Sequence, residues 1–182
     1  IKQWLGDGQP LGTPDPETSP KPSVELKLPK THSAPMPVAY TPKVNTTDDY
    51  RCFLLDLAFP VDTYLSGAQV VPGAQELVHH VLVYALTGAQ RASAEKADAK
   101  HKKPGYPCFG GPLPSTGGGQ VLSQFSGGFP TQLAAWVPGL EPAIRPEGSA
   151  TRILKGSRIV MQVHYNVVAG NAVPDTTRLD MI

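Results

Sequence analysis

An excess of charge of either sign is missing from this chain. Lys and Arg total 16 against 15 for Asp and Glu, a formal net charge of +1. That balance gives no electrostatic reason for nucleic acid or an anionic membrane to be the main partner. Long apolar runs are missing too, and none approaches the roughly 20 residues a membrane helix needs. The first residues have neither the basic nor the apolar region of a signal peptide, so for an exported protein that signal is expected to be removed or to lie upstream. There is no Gly-x-Ser-x-Gly, no Cys-x-x-Cys-His, and no Gly-Lys-Ser/Thr after Gly117-Gly118-Gly119. These absences leave out a nucleophile elbow, a haem attachment site and a phosphate loop. Cysteine is scarce, with only Cys52 and Cys108. The even count fits one disulfide and an oxidising compartment, while two free buried thiols is the other reading. Cys52 opens an apolar run and Cys108 lies in a turn-rich stretch, so a bridge would pin an irregular loop to a strand.

Proline and glycine are plentiful instead, at 20 and 18 of 182 residues. They argue against a helical bundle and for strands joined by many turns. The length suits one domain with a sizeable core, or one domain and a tail. Residues 1–9 read as the end of a short amphipathic helix stopped by Gly6. Nine prolines lie between Pro10 and Pro42, so residues 10–47 read as an extended linker or a segment draped over another surface. Within it Val24-Glu25-Leu26-Lys27-Leu28 alternates like an edge strand. The globular part is expected from 48 to 182.

Strands are expected at 51–57, 64–71, 77–86, 133–137, 157–168 and 176–181. The Ala-rich, doubly charged stretch 88–103 is the one credible helix, capped by Thr87 and lying on the surface. Residues 104–130 are turn-rich. His101 and His32 read as solvated.

Two adjacent histidines, His79 and His80, sit inside the β-branched run Leu77-Val78-His79-His80-Val81-Leu82-Val83-Tyr84. Imidazole is polar and titrates near neutrality, so its place in a strand core needs a reason. A metal is one; a hydrogen-bonded pair of core histidines is the other. On an ideal strand the two rings point to opposite faces, and only an edge, a twist or a bulge lets both reach one ion. In 157–168 one face carries Ile159, Met161, Val163, Tyr165 and Val167, which is core. The other carries Gln162, His164 and Asn166, and the two amides could orient His164 through its second ring nitrogen. Three imidazoles with no cysteine or acidic ligand suggested by spacing suit copper or zinc. No acidic residue is placed as a general base for zinc hydrolysis.

Five segments, in order over about 48–182, resemble the N-terminal copper domain of the copper type II, ascorbate-dependent monooxygenases, the family of peptidylglycine α-hydroxylating monooxygenase and dopamine β-monooxygenase. They are Asp49-Tyr50-Arg51-Cys52, Val78-His79-His80-Val81-Leu82, Tyr106-Pro107-Cys108, Ala134-Ala135-Trp136 and Val160-Met161-Gln162-Val163-His164-Tyr165. The resemblance implies an all-β fold, an antiparallel β-sandwich of jelly-roll type. It implies His79, His80 and His164 as ligands of the electron-transfer copper, with Tyr50 and Gln162 nearby and Cys52 bridged to Cys108. It also implies ascorbate as reductant and an extracytoplasmic setting. Residues 1–4 resemble the last helix of a c-type cytochrome domain that some bacterial relatives carry upstream.

The chain departs from the family in one respect. There, oxygen binds a second copper, in a second domain, held by a His-x-His pair and a methionine. This sequence has no His-x-His; Met161 faces away from His164, and Met181 has no histidine pair beside it. The expectation is therefore an electron-transfer half without a catalytic residue of its own, whose partner is an absent C-terminal copper domain. A stand-alone copper relay module and a metal-free β-sandwich interaction domain are the rival readings.

Overall fold

The computed structural model describes residues 1–10, 12, 27–44, 47–114, 128–167 and 172–182. It is an all-β sandwich with antiparallel pairing throughout. In chain order the elements are α1 (Lys2–Gly6), β1 (His32–Pro35), β2 (Asp48–Leu54), β3 (Thr63–Leu65), β4 (Gly67–Val71), β5 (Val78–Leu86), α2 (Gly88–Lys100), β6 (Tyr106–Pro107), β7 (Thr131–Trp136), β8 (Ala143–Ile144), β9 (Thr151–Ile153), β10 (Arg158–Asn166) and β11 (Arg178–Met181). One sheet has the order β6-β2-β10-β5-β7 and the other β1-β11-β4-β8, with β3-β9 as a separate pair.

The alternation on β10 sets the layers. Ile159, Met161, Val163 and Tyr165 join Phe53, Val81 and Val83 on the inner face of the five-stranded sheet. Opposite them stand Ala34, Ala68, Val70, Leu179 and Met181 from the four-stranded sheet. A second, smaller cluster covers the outer face: Cys52, Leu54, Leu86 and Val160 pack under Ala94 of α2 and under Tyr106, Cys108 and Leu113. Helix α2 thus lies on the surface and buries only Gln90 and Ala94. Arg91 fastens it by donating to the Gly156 carbonyl at 2.7 Å. Thr87 occupies the N-cap position, but its hydroxyl makes no cap bond.

Several boundaries differ from the sequence pattern. The pattern places the globular part from Asp48 onward, whereas the fold reaches further back. β1 pairs with β11 from His32↔Met181 to Pro35↔Arg178, and Leu28, Ala34, Met36 and Tyr40 are buried. This part of the proline-rich segment is draped over the sandwich. An edge position suits it, because Pro35 lacks an N–H to give to a ladder. Of the strand expected over 24–28, residues 24–26 lie outside the described residues. Leu28 is in no strand, although its N–H donates to Gln69 Oε1 at 3.0 Å. The strand expected over 64–71 is broken at Ser66 into β3 and β4, which pair with different partners. Gly117-Gly118-Gly119, Gly127 and Val168 also lie outside the described residues. Among the described residues no helix is long and apolar enough to cross a membrane.

Candidate metal centre

Tyr50, His164 and His80 stand in one row across the outer face of the five-stranded sheet, since His164 is the register partner of both Tyr50 on β2 and His80 on β5. The register then slips: Tyr165 pairs with Val78, leaving His79 as an extra residue. That bulge answers the geometric objection to the doublet, because an inserted residue lets two consecutive side chains turn to the same side. The slip falls past the last β5–β7 pair, Val81↔Trp136, so no ladder on that side opposes it.

The three rings converge. His79 Nδ1 lies 3.1 Å from His80 Nδ1, and His80 Nδ1 lies 3.3 Å from His164 Nδ1. One donor atom from each residue falls within 4.8 Å of the others, and no other group of three or more such residues is found among the described residues. A metal–nitrogen bond of about 2.0–2.1 Å in a tetrahedral site puts ligand nitrogens roughly 3.3 Å apart, which matches the two spacings centred on His80. The bonding tells the same story. A ring nitrogen holds either one proton or one lone pair, so His80 Nδ1 cannot donate to both neighbours. A cation can accept all three lone pairs. Burial, and then the His164 and His79 rings, hold His80 below the ordinary histidine range, which favours the neutral form that a metal needs.

His164 is 5 % exposed, while His79 is open to solvent and His80 half-buried. Its Nε2 lies 2.7 Å from Asp48 Oδ1. In the tautomer whose Nε2–H donates to Asp48, the Nδ1 lone pair of His164 turns towards the other two rings. The hydrogen bonds from His164 and then Thr47 hold the Asp48 carboxyl below the usual carboxylate range. Tyr50 stacks flat on His164, with centroids 4.0 Å apart and planes at 6°. Phe109 meets Tyr50 edge-on at 4.9 Å.

Phe109 is held there by a disulfide. Cys52 and Cys108 are bonded and buried, and the Cys108 N–H donates to the Tyr50 carbonyl at 3.4 Å. Gln162 is buried beside them, but it does not orient His164. Its Nε2 donates to the Gly111 carbonyl at 2.7 Å and contacts Cys108 Sγ at 3.6 Å. The side-chain oxygen of Asn166 is buried without a partner among the described residues. The amide partners expected for His164 are thus replaced by Asp48, which sequence reasoning missed. The signal was there: Asp48 lies two residues before Tyr50 and so shares its face.

His32 is exposed and bonded to the Thr31 hydroxyl at 2.9 Å, and His101 is exposed at the C-cap of α2. Met161 and Met181 are both in the core. No protein-family model matches the chain, and no curated protein matches it either. The cluster itself is what points to a metal. Three imidazole nitrogen donors, one of them backed by a carboxylate, suit copper or zinc ahead of magnesium or calcium, which prefer oxygen.

Proposed function

We propose that this chain is the electron-transfer copper domain of an extracytoplasmic monooxygenase that is reduced by ascorbate and hydroxylates a C–H bond at an oxygen-binding copper carried in another domain. The observation behind it is the convergence of His79, His80 and His164 Nδ1, with His164 backed by Asp48. Three further contacts support the reading: Tyr50 stacks on His164, Gln162 is bonded to the Gly111 carbonyl on the same face of the sheet, and Cys52 is bonded to Cys108.

Copper supplies one-electron chemistry, since an all-imidazole site tolerates both Cu(I) and Cu(II). The protein does the rest. His79 and His80 offer their nitrogens from the exposed end of β5, open to a small reductant. His164, Tyr50 and Phe109 form a packed wall that fixes the third nitrogen. Asp48 holds the proton on His164 Nε2, away from the donor side. The oxygen-binding copper is assigned to another domain, so this chain alone is not expected to hydroxylate. The buried disulfide agrees with an oxidising compartment.

The test is reduction of the copper-loaded chain. Ascorbate should bleach the Cu(II) signal at one electron per chain, and air should restore it without loss of copper. A bound copper that ascorbate leaves as Cu(II), or that is released on reduction, would rule out the electron-transfer role.

A further inference from the structure

The inner face of β10 is apolar along Ile159, Met161 and Val163 and turns polar only beneath the histidines. There Tyr165 donates its hydroxyl proton to Asp175 Oδ2 at 2.8 Å. Asp175 is fully buried and also accepts from the Gly73 N–H at 3.0 Å, the Ala74 N–H at 2.8 Å and the Thr177 hydroxyl. Its main chain pairs both ways with Tyr40, whose hydroxyl donates to Asp49 at 2.5 Å.

Each end of this network lies one step from the candidate centre. Asp49 sits between Asp48 and Tyr50. Tyr165 follows His164. Ala74 starts the turn that leads into the doublet: its carbonyl accepts from Leu77 and Val78 N–H, and the Leu77 carbonyl accepts from Asn166 N–H at 2.8 Å. Adjacent strand residues point to opposite faces. A directional bond on the inner face therefore sets the rotation with which the neighbouring outer side chain is aimed. Apolar packing allows slip in a way that a satisfied polar network does not. Close approach is built into the network. A Cβ on Gly73 would come within 2.6 Å of Thr176 N and 2.8 Å of Asp175 Oδ1.

We propose that Asp175 and Tyr165, joined through Tyr40 to Asp49, act as positioning residues that fix the mutual spacing of His79, His80 and His164 from the opposite face of the sheet. The proposal rests on the reading of those histidines as a metal centre. It assigns to four residues outside the donor group a share in metal affinity beyond their share in stability.

Four versions of the full chain test it: the parent, Tyr165→Phe, His164→Ala, and Val70→Ala as a core change in the other sheet. Tyr165→Phe removes one hydroxyl and keeps the ring; Asp175→Asn serves as a second variant if it folds. Cu(II) affinity by competition, the electron paramagnetic resonance spectrum, and amide hydrogen exchange of the metal-free chain are the readouts. Tyr165→Phe should weaken Cu(II) by about tenfold, the low end for residues supporting metal ligands. It should also alter the copper spectrum and speed exchange at the Asn166 and Val78 amides. Val70→Ala should lower the melting temperature and leave affinity and spectrum alone. Parental affinity and exchange in Tyr165→Phe would overturn the proposal while leaving the metal centre standing, and so would an equal affinity loss in Val70→Ala. A parent that binds copper no better than His164→Ala would instead sink the metal centre, and this proposal with it.

Discussion

His164 spends one ring nitrogen on Asp48 and turns the other towards His80, so the two ends of a single imidazole tie a carboxylate to a donor cluster. Replacing Asp48 by Ala should leave the ring free to rotate and should weaken Cu(II) binding about 10- to 100-fold. Asp48→Asn can still accept from Nε2 and should lose less. Competitive titration decides it, and parental affinity in Asp48→Ala would show that His164 is held by the Tyr50 stack alone. Asp180 makes a second prediction at this scale. Burial works against its charge, but bonds from Ser33, Lys30 and Arg178 together outweigh it and hold the carboxyl below its ordinary value. A depressed folded value means the unfolded chain takes up the proton first as pH falls. The stabilisation is therefore complete above the ordinary carboxyl value of 3.8 and is lost as pH drops through the folded one. Denaturation midpoints across that acid range should fall more gently in Asp180→Asn than in the parent.

Strands β2 and β5 show how an element can aim side chains that periodicity alone would separate. The alternation on β10 was legible: its inner row is core, and His164 faces out with Gln162. The doublet was legible as a problem with three solutions, an edge, a twist or a bulge, but which of them applies was not, because the bulge at His79 is set by pairing with Tyr165, which is distant in sequence. The β3–β4 break at Ser66 and the docking of β1 were hidden for a related reason. Each depends on which strand lies alongside, and Pro35 and Pro37 mask the local strand signal. Asp48 could have been found by extending the β2 alternation backwards; Gln162 was placed on the right face with the wrong partner, since the carbonyl of Gly111 arrives from a loop. That loop carries an element-scale prediction. The disulfide closes a separation of 56 residues, which the chain-entropy model values at about 4 kcal/mol. The double variant Cys52→Ala/Cys108→Ala should lose stability of that order in chemical denaturation. It should also bind copper more weakly, because Phe109 then no longer braces Tyr50 against His164. A variant with lost stability but parental copper affinity would separate the bridge from the centre.

At the scale of the molecule, the sandwich places its donor cluster at the solvent end of the five-stranded sheet, with an apolar core behind most of that sheet and a polar layer behind the cluster. Binding to the folded form only should raise the melting temperature by mass action, by an amount that grows with free copper. Chelation should reverse the rise, and His79→Ala, His80→Ala and His164→Ala should each abolish it. A copper titration of the purified chain beside those three variants, with metal counted per chain, tests the centre itself. One copper per parent chain and loss of tight binding in every variant are expected of a three-histidine site. Undiminished binding in His164→Ala would contradict it, because the cluster would then not be one site.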